Sequence, residues 1–309
     1  MSSSAGAVAE PSPPLPDSYC RMWGTRGSIP ISGPQFVRHG GNTPCIEVVA
    51  AGTRVIFDAG TGIYPLGQEL VTKGPGKHHL FISHTHWDHI QGFPFFTPIY
   101  VRGNEIEILG PAEPGKDLRD RFADMMRHDF FPVDLTECAA TLNFHDLDDQ
   151  SATIPVGPLS VQWVATDHPC ASAGFKVRTP AGKTVAYLSD NEFLKGYLGL
   201  PEELPLDSDL LAPYKRIMQF VEGTDLLIAE AQYTDEEYAG RIGWGHTSLS
   251  SLCLLCKLAG IRKWVVIHHD PLHDDAMLDR KLAHTKQILR SLEWDIDVIH
   301  AADGMVVGI

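Results

Sequence analysis

The sequence predicts an α/β fold of the α+β kind: two mixed β-sheets packed against one another, with helices on their outer sides. Three observations point there. Short apolar runs recur along the chain, each closed by Gly, Pro, Asn or Asp, as strands usually are. Segments with helical spacing of apolar residues are fewer, too few to alternate with strands as a doubly wound sheet requires. The chain's 309 residues, 43% hydrophobic, suffice for one substantial core.

In chain order, residues 1–17 hold SSSAGAVAEPSPPLPD, small residues and prolines with too little apolar surface to offset the entropy of ordering. They are expected to form a disordered tail before a single domain at 18–309. The tail has no basic start and apolar core of a secretory signal, and no later segment is apolar over the roughly 18 residues of a membrane helix. A soluble, cytoplasmic protein is expected. Strands are expected at CIEVVAAG (45–52), TRVIFDAG (53–60), HHLFISH (78–84), EIEILG (105–110), LSVQWVATD (159–167), GFKVRT (174–179), KTVAYLSD (183–190), DLLIAEAQY (225–233), KWVVIHH (263–269) and IDVIHAADGMVVGI (296–309). Helices are expected at 116–130, 214–223, 248–259 and 277–292. Within an insertion at 111–150, KDLRDRFADMMRHDFFP is either a lid, a helix covering the sheet or a contact between two copies of the chain.

The formal charge is −14, from 39 acidic against 25 basic residues, so a long nucleic acid would meet net repulsion and is not expected as a partner. The six cysteines are too sparse for a disulfide-stapled domain and are read as reduced thiols. Cys253 and Cys256 form a C-x-x-C, but inside an amphipathic helical pattern that assigns them to core packing.

Chemistry is concentrated in His84-Thr85-His86-Trp87-Asp88-His89, directly after the apolar run Leu80-Phe81-Ile82. A tight loop leading into a helix would let His84 and His86 face one metal ion, and Asp88 and His89 another. Neutral imidazole and carboxylate suit zinc, and also manganese or iron. Other histidines and aspartates end apolar runs: Asp58 in FDAGTG, His168 in TDHP, Asp190 in YLSD, and His268 and His269 in VIHHDP. They would gather along one sheet edge, where a rigid scaffold presents functional groups.

The H-x-H-x-D-H pattern after an apolar strand resembles the signature of the metallo-β-lactamase superfamily, and the resemblance continues at later stations from about Met22 to the C-terminus. It implies a four-layer αββα sandwich and two divalent metal ions, zinc first, manganese or iron otherwise. It further implies that His84, His86 and His168 hold the first ion, that Asp88, His89 and His268 hold the second, and that Asp190 serves both. His269 stays open as the alternative last ligand. Asp58 is expected to steady the ligand loop by hydrogen bonds. Gly245-His246-Thr247-Ser248 resembles the G-H-S-T element of ribonuclease Z and related phosphodiesterases with its last two residues exchanged. His246 would then face the scissile phosphate, and Thr247 or Ser248 would cap the next helix. WGTRGSIP (23–30) and GGNTPC (40–45) resemble the opening of the ribonuclease Z and cyclic phosphodiesterase branch; their glycines either admit a phosphate to backbone amides or turn a hairpin.

The implied reaction is hydrolysis by a hydroxide shared between two ions about 3.5–4 Å apart. Asp88 would orient the attacking water, and His246 would donate to the departing oxygen. No Gly- and Lys-rich clasping arm is evident, so the expected substrate is a small cyclic or linear nucleotide phosphodiester. Two other readings are carried: hydrolysis of an ester, thioester or lactone, and a metal- or nucleotide-binding regulatory module without turnover. No membrane partner is expected, and the resemblance implies a homodimer.

Overall fold

The computed structural model describes residues 15–309 apart from Ala112, Pro114 and Leu206. Of the tail expected at 1–17, residues 1–14 lie outside the described residues. Fourteen strands are named in chain order: β1 (Tyr19–Gly24), β2 (Cys45–Ala50), β3 (Thr53–Phe57), β4 (Lys77–Phe81), β5 (Glu105–Pro111), β6 (Thr141–Leu147), β7 (Ile154–Val156), β8 (Leu159–Ala165), β9 (Ala173–Arg178), β10 (Thr184–Leu188), β11 (Leu226–Glu230), β12 (Lys263–Ile267), β13 (Asp297–His300) and β14 (Val306–Gly308). The helices are α1 (Ile63–Val71), α2 (Trp87–Ile90), α3 (Leu118–Met125), α4 (Lys215–Val221), α5 (Asp235–Tyr238), α6 (Leu249–Leu258) and α7 (Asp275–Ser291).

The strands form two seven-stranded sheets, ordered β14-β1-β2-β3-β4-β5-β6 and β13-β12-β11-β10-β9-β8-β7. Both are mixed. In the first, β3 to β6 run parallel and the remaining pairs antiparallel. In the second, β10 to β13 run parallel and β7 to β10 antiparallel.

Alternation along each strand sorts side chains into three apolar layers. Met22, Val48, Phe57 and Phe81 of the first sheet meet Val161, Phe175, Tyr187 and Ile267 of the second. Phe57 stacks on both Phe175 and Tyr187, with ring centroids 5.4 and 5.1 Å apart, and so joins the sheets. The outer face of the first sheet packs Ile56, Leu80 and Ile108 under Leu66 of α1 and Phe122 of α3. That of the second packs Ala229, Trp264 and Val266 under α4, α6 and α7. Four layers result. The central strands covered on both faces, β10, β11 and β12, are almost wholly apolar and so stand out as unbroken runs.

Cys253 and Cys256 are buried in the layer under α6. Within the 111–150 insertion, α3 buries Leu118, Phe122 and Met125 over the first sheet, and β6 extends that sheet. The final run, expected as one strand, divides into β13 and β14 in different sheets, broken at Asp303-Gly304 where Gly304 adopts positive φ. Among the described residues no helix is long and apolar enough to cross a membrane.

Candidate metal centre

The polar residues singled out in the sequence mostly stand just beyond the C-terminal ends of strands on one edge of the sandwich. Asp58 follows β3, His84 follows β4, His168 follows β8, Asp190 follows β10 and His268 follows β12. Parallel direction within each sheet brings these ends together. After β4 the chain passes through an extended His86 and turns into the four-residue α2, which carries Asp88 and His89 inward and leaves Trp87 65% exposed. His268 has a left-handed backbone (φ 55°), so its ring turns toward the cluster as the strand ends.

Asp190 is the hub. Its Oδ2 lies 3.4 Å from His84 Nε2 and 3.8 Å from His168 Nε2. Its Oδ1 lies 3.3 Å from both His89 Nε2 and His268 Nε2. Asp88 Oδ2 closes the second group, 3.3 Å from His89 Nε2 and 3.1 Å from His268 Nε2. His86 Nδ1 closes the first, 3.1 Å from His168 Nε2. A tetrahedral ion with bonds of roughly 2.0–2.1 Å would set its ligand atoms about 3.3–3.4 Å apart, close to these separations.

The donor chemistry fits cations as well. His84 Nε2 and His89 Nε2 are buried with no hydrogen-bond partner, which is rare for polar atoms without an unseen ligand. Burial alone would raise the carboxyl of Asp190, yet His268, His89 and His84 hold it well below its ordinary range. Asp88 is likewise held low by His89 and His268 against the upward push of burial. Burial pushes His84 well below the usual histidine range. Against the downward push of burial, Asp88, Asp190 and Asp58 hold His89 well above that range, so the carboxylates and imidazoles are strongly coupled in a buried pocket.

Three of the inward nitrogens are aimed by a bond to the other nitrogen of the ring. Asp58 Oδ2 holds His89 Nδ1 at 2.8 Å, Gln232 Oε1 holds His268 Nδ1 at 3.0 Å, and the Gly245 carbonyl holds His168 Nδ1 at 3.0 Å. Asp58 also accepts from the Ser83 amide and hydroxyl and, at 2.6 Å, from Tyr187 Oη. His246 lies beside Asp190 (3.9 Å) and stacks on His268, and burial pushes it down to about 3, so its ring is neutral. Its loop is tied by the buried Glu192, which accepts from the amides of Gly243 and Gly245 and from Tyr238 Oη. Thr247 bonds Glu230 and the 191–193 loop, and Ser248 is the residue that caps α6.

His84, His86, Asp88, His89, His168, Asp190, His246 and His268 therefore share one cluster, with Asp58 behind it. His269 does not join them: its Nε2 faces the Ala301 carbonyl at 3.0 Å, and its ring packs against His39 and His300. The opening glycines lie in the connection between the antiparallel strands β1 and β2 and allow close packing there. Gly27 lies against the ring of His268 so closely that a Cβ would stand 2.4 Å from its Nδ1, and Gly41 presses on the Ile31 carbonyl. The segment's contact with the cluster comes from Ser28, whose amide donates to Asp88 Oδ2 at 2.7 Å. Sequence reasoning missed Ser83, Tyr187, Glu192 and Gln232, whose parts depend on convergence in space. Cys170 was noted only as a thiol, although its place two residues after His168 was a usable signal.

Residues 53–269 match the family model described as a beta-lactamase superfamily domain. The chain belongs to this superfamily. It is a metallo-β-lactamase fold hydrolase, and the two mixed sheets with outer helices are that fold. Among curated proteins it is similar to Ribonuclease Z of Shouchella clausii, 25% identical over 221 residues that cover 61% of this chain and 68% of the relative. It is also similar to Ribonuclease BN of Escherichia coli K12, 24% identical over 274 residues, covering 77% and 85%. Among solved structures, Bacillus subtilis YhfI superposes with a TM-score of 0.63 at 17% identity, covering 94% of this chain and 98% of that one. Human tRNase Z, short form, superposes at 0.60 with 21% identity, covering 94% and 99%.

Proposed function

We propose that this metallo-β-lactamase fold protein is a phosphodiesterase for small cyclic or linear nucleotides that works with two divalent ions, zinc in the first instance. His84, His86 and His168 would hold one ion, Asp88, His89 and His268 the other, and Asp190 both. The observation that carries the reading is the division of Asp190, one oxygen toward each set of imidazoles. Ions held there would bring the pKa of bound water toward neutrality and neutralise charge on phosphoryl oxygens.

The chain's own residues then orient and donate. Asp88, steadied by the Ser28 amide, accepts a hydrogen bond from the attacking water. Neutral His246 donates one ring N–H to a phosphoryl or departing oxygen, which stabilises developing charge without adding a buried cation. The ribonucleases among its relatives support a phosphodiester. Charge favours a small substrate. The net charge is −14, and near the ligand loop Lys116 pairs with Asp124 and Arg121 with Glu113, so those cations are engaged.

Bis-p-nitrophenyl phosphate should be hydrolysed in the presence of Zn²⁺ or Mn²⁺, and a folded Asp190→Ala variant should lose about 10³-fold or more of that rate. Turnover unchanged in the variant would refute the assignment. A second reading, ester or lactone hydrolysis, draws on Trp87 and Trp244, which stand 65% and 61% exposed beside ligand-loop residues and suit an apolar substrate body. Lactone turnover with every phosphodiester inert would select it.

A further inference from the structure

Cys170 is half-buried in the loop after His168, and its Sγ lies 3.6 Å from His86 Nε2. One donor atom from each of His84, His86, His168 and Cys170 lies within 4.8 Å of the others, a spacing that small side-chain movements would close around a single ion. In the same group His84 Nε2, fully buried, has no hydrogen-bond partner and independently marks a ligand there. The other cysteines are placed differently. Cys20, Cys45, Cys253 and Cys256 lie in apolar layers, Cys138 packs beside one, and none belongs to a candidate metal group among the described residues.

We propose that Cys170 is a fourth side-chain donor to the first ion, an inference that rests on the metal-centre reading above. Ligation as thiolate releases one proton to solvent. A sulfur beside three imidazoles makes the first subsite softer than the second, where Asp88, His89 and His268 supply only nitrogen and oxygen. Soft donors select zinc or cobalt over manganese, so the two subsites differ in metal preference: the first retains a thiophilic ion, and the second exchanges with manganese. Cys170 is in this sense a residue that sets metal specificity.

The test strips the full chain with a chelator and titrates it with Co²⁺ alone, following absorbance. The first equivalent should produce visible d–d bands together with a near-ultraviolet thiolate-to-cobalt charge-transfer band. Cys170→Ser should keep the d–d bands, lose the charge-transfer band and bind its first cobalt at least about tenfold more weakly, while Cys138→Ser behaves as the parent. Cobalt bound by the parent without a charge-transfer band overturns the role of Cys170 and leaves the metal centre standing, whatever the variant's folding. A band that survives Cys170→Ser overturns it too. Failure of the parent to bind cobalt at all would remove the metal-centre reading and this inference together.

Discussion

At Asp58 one buried carboxylate accepts from the Ser83 amide, the Ser83 hydroxyl, His89 Nδ1 and Tyr187 Oη, from a backbone in the left-handed region (φ 60°). Strain of this kind persists only where surroundings over-determine it. The carboxylate fixes the tautomer of His89 and makes its inward nitrogen more basic, so Asp58→Asn should weaken metal affinity by about 10–100-fold, measured by competition with a chromophoric chelator. Affinity equal to the parent's would deny Asp58 that part. Asp58 was legible in the sequence because a carboxylate that ends an apolar run before a Gly-rich turn has no packing reason to be there. Tyr187 was not, since a tyrosine inside an apolar strand reads as core, and it is core on its ring face. The resemblance favoured His268 over His269, and the two differ in the direction each ring takes after β12 ends.

Loops at the strand ends are shaped by what lies against them. Gly245 sits at φ 88°, and an added Cβ would stand 2.2 Å from His168 Nδ1. Gly245→Ala should therefore cost about 1–3 kcal/mol of stability by chemical denaturation and also lower zinc uptake, because the strain is relieved only by moving His168. A variant with parental stability and metal content would refute this packing account. The strands buried on both faces were readable as apolar runs. β6 was not, because Asn143 and His145 bond Glu107 across the sheet and fill its exposed face with polar groups. β7 is three residues long with a proline at its centre, below what a pattern can register. α1 was hidden by Pro65 in its first turn and by Gly67, which lets the helix approach Phe96 and Pro98.

The four-layer sandwich buries charge as well as apolar surface. Lys281 of α7 is enclosed, donating to the carbonyls of Ala231 and Gln232 beneath the loop that steadies His268, and burial pushes its ammonium down to about 8. An unfolded lysine holds its proton to about pH 10.4, so between these values the unfolded chain binds more protons and stability rises with pH. Below pH 8 both states are protonated and the slope vanishes. Relative to Lys281→Met, the parent should gain about 3 kcal/mol across that window, read from denaturant midpoints at several pH values; parallel curves would refute the shift. The layering has a further consequence at Asp58, which is gripped from its own sheet by Ser83 and from the opposite sheet by Tyr187. A slip of about 1 Å between the sheets would break the 2.6 Å tyrosine bond and free His89 to rotate. Asp58 thus acts as a gauge of how the two halves of the sandwich are seated, and a loosened seam would disorder the histidine and aspartate cluster while the rest of the chain stayed folded.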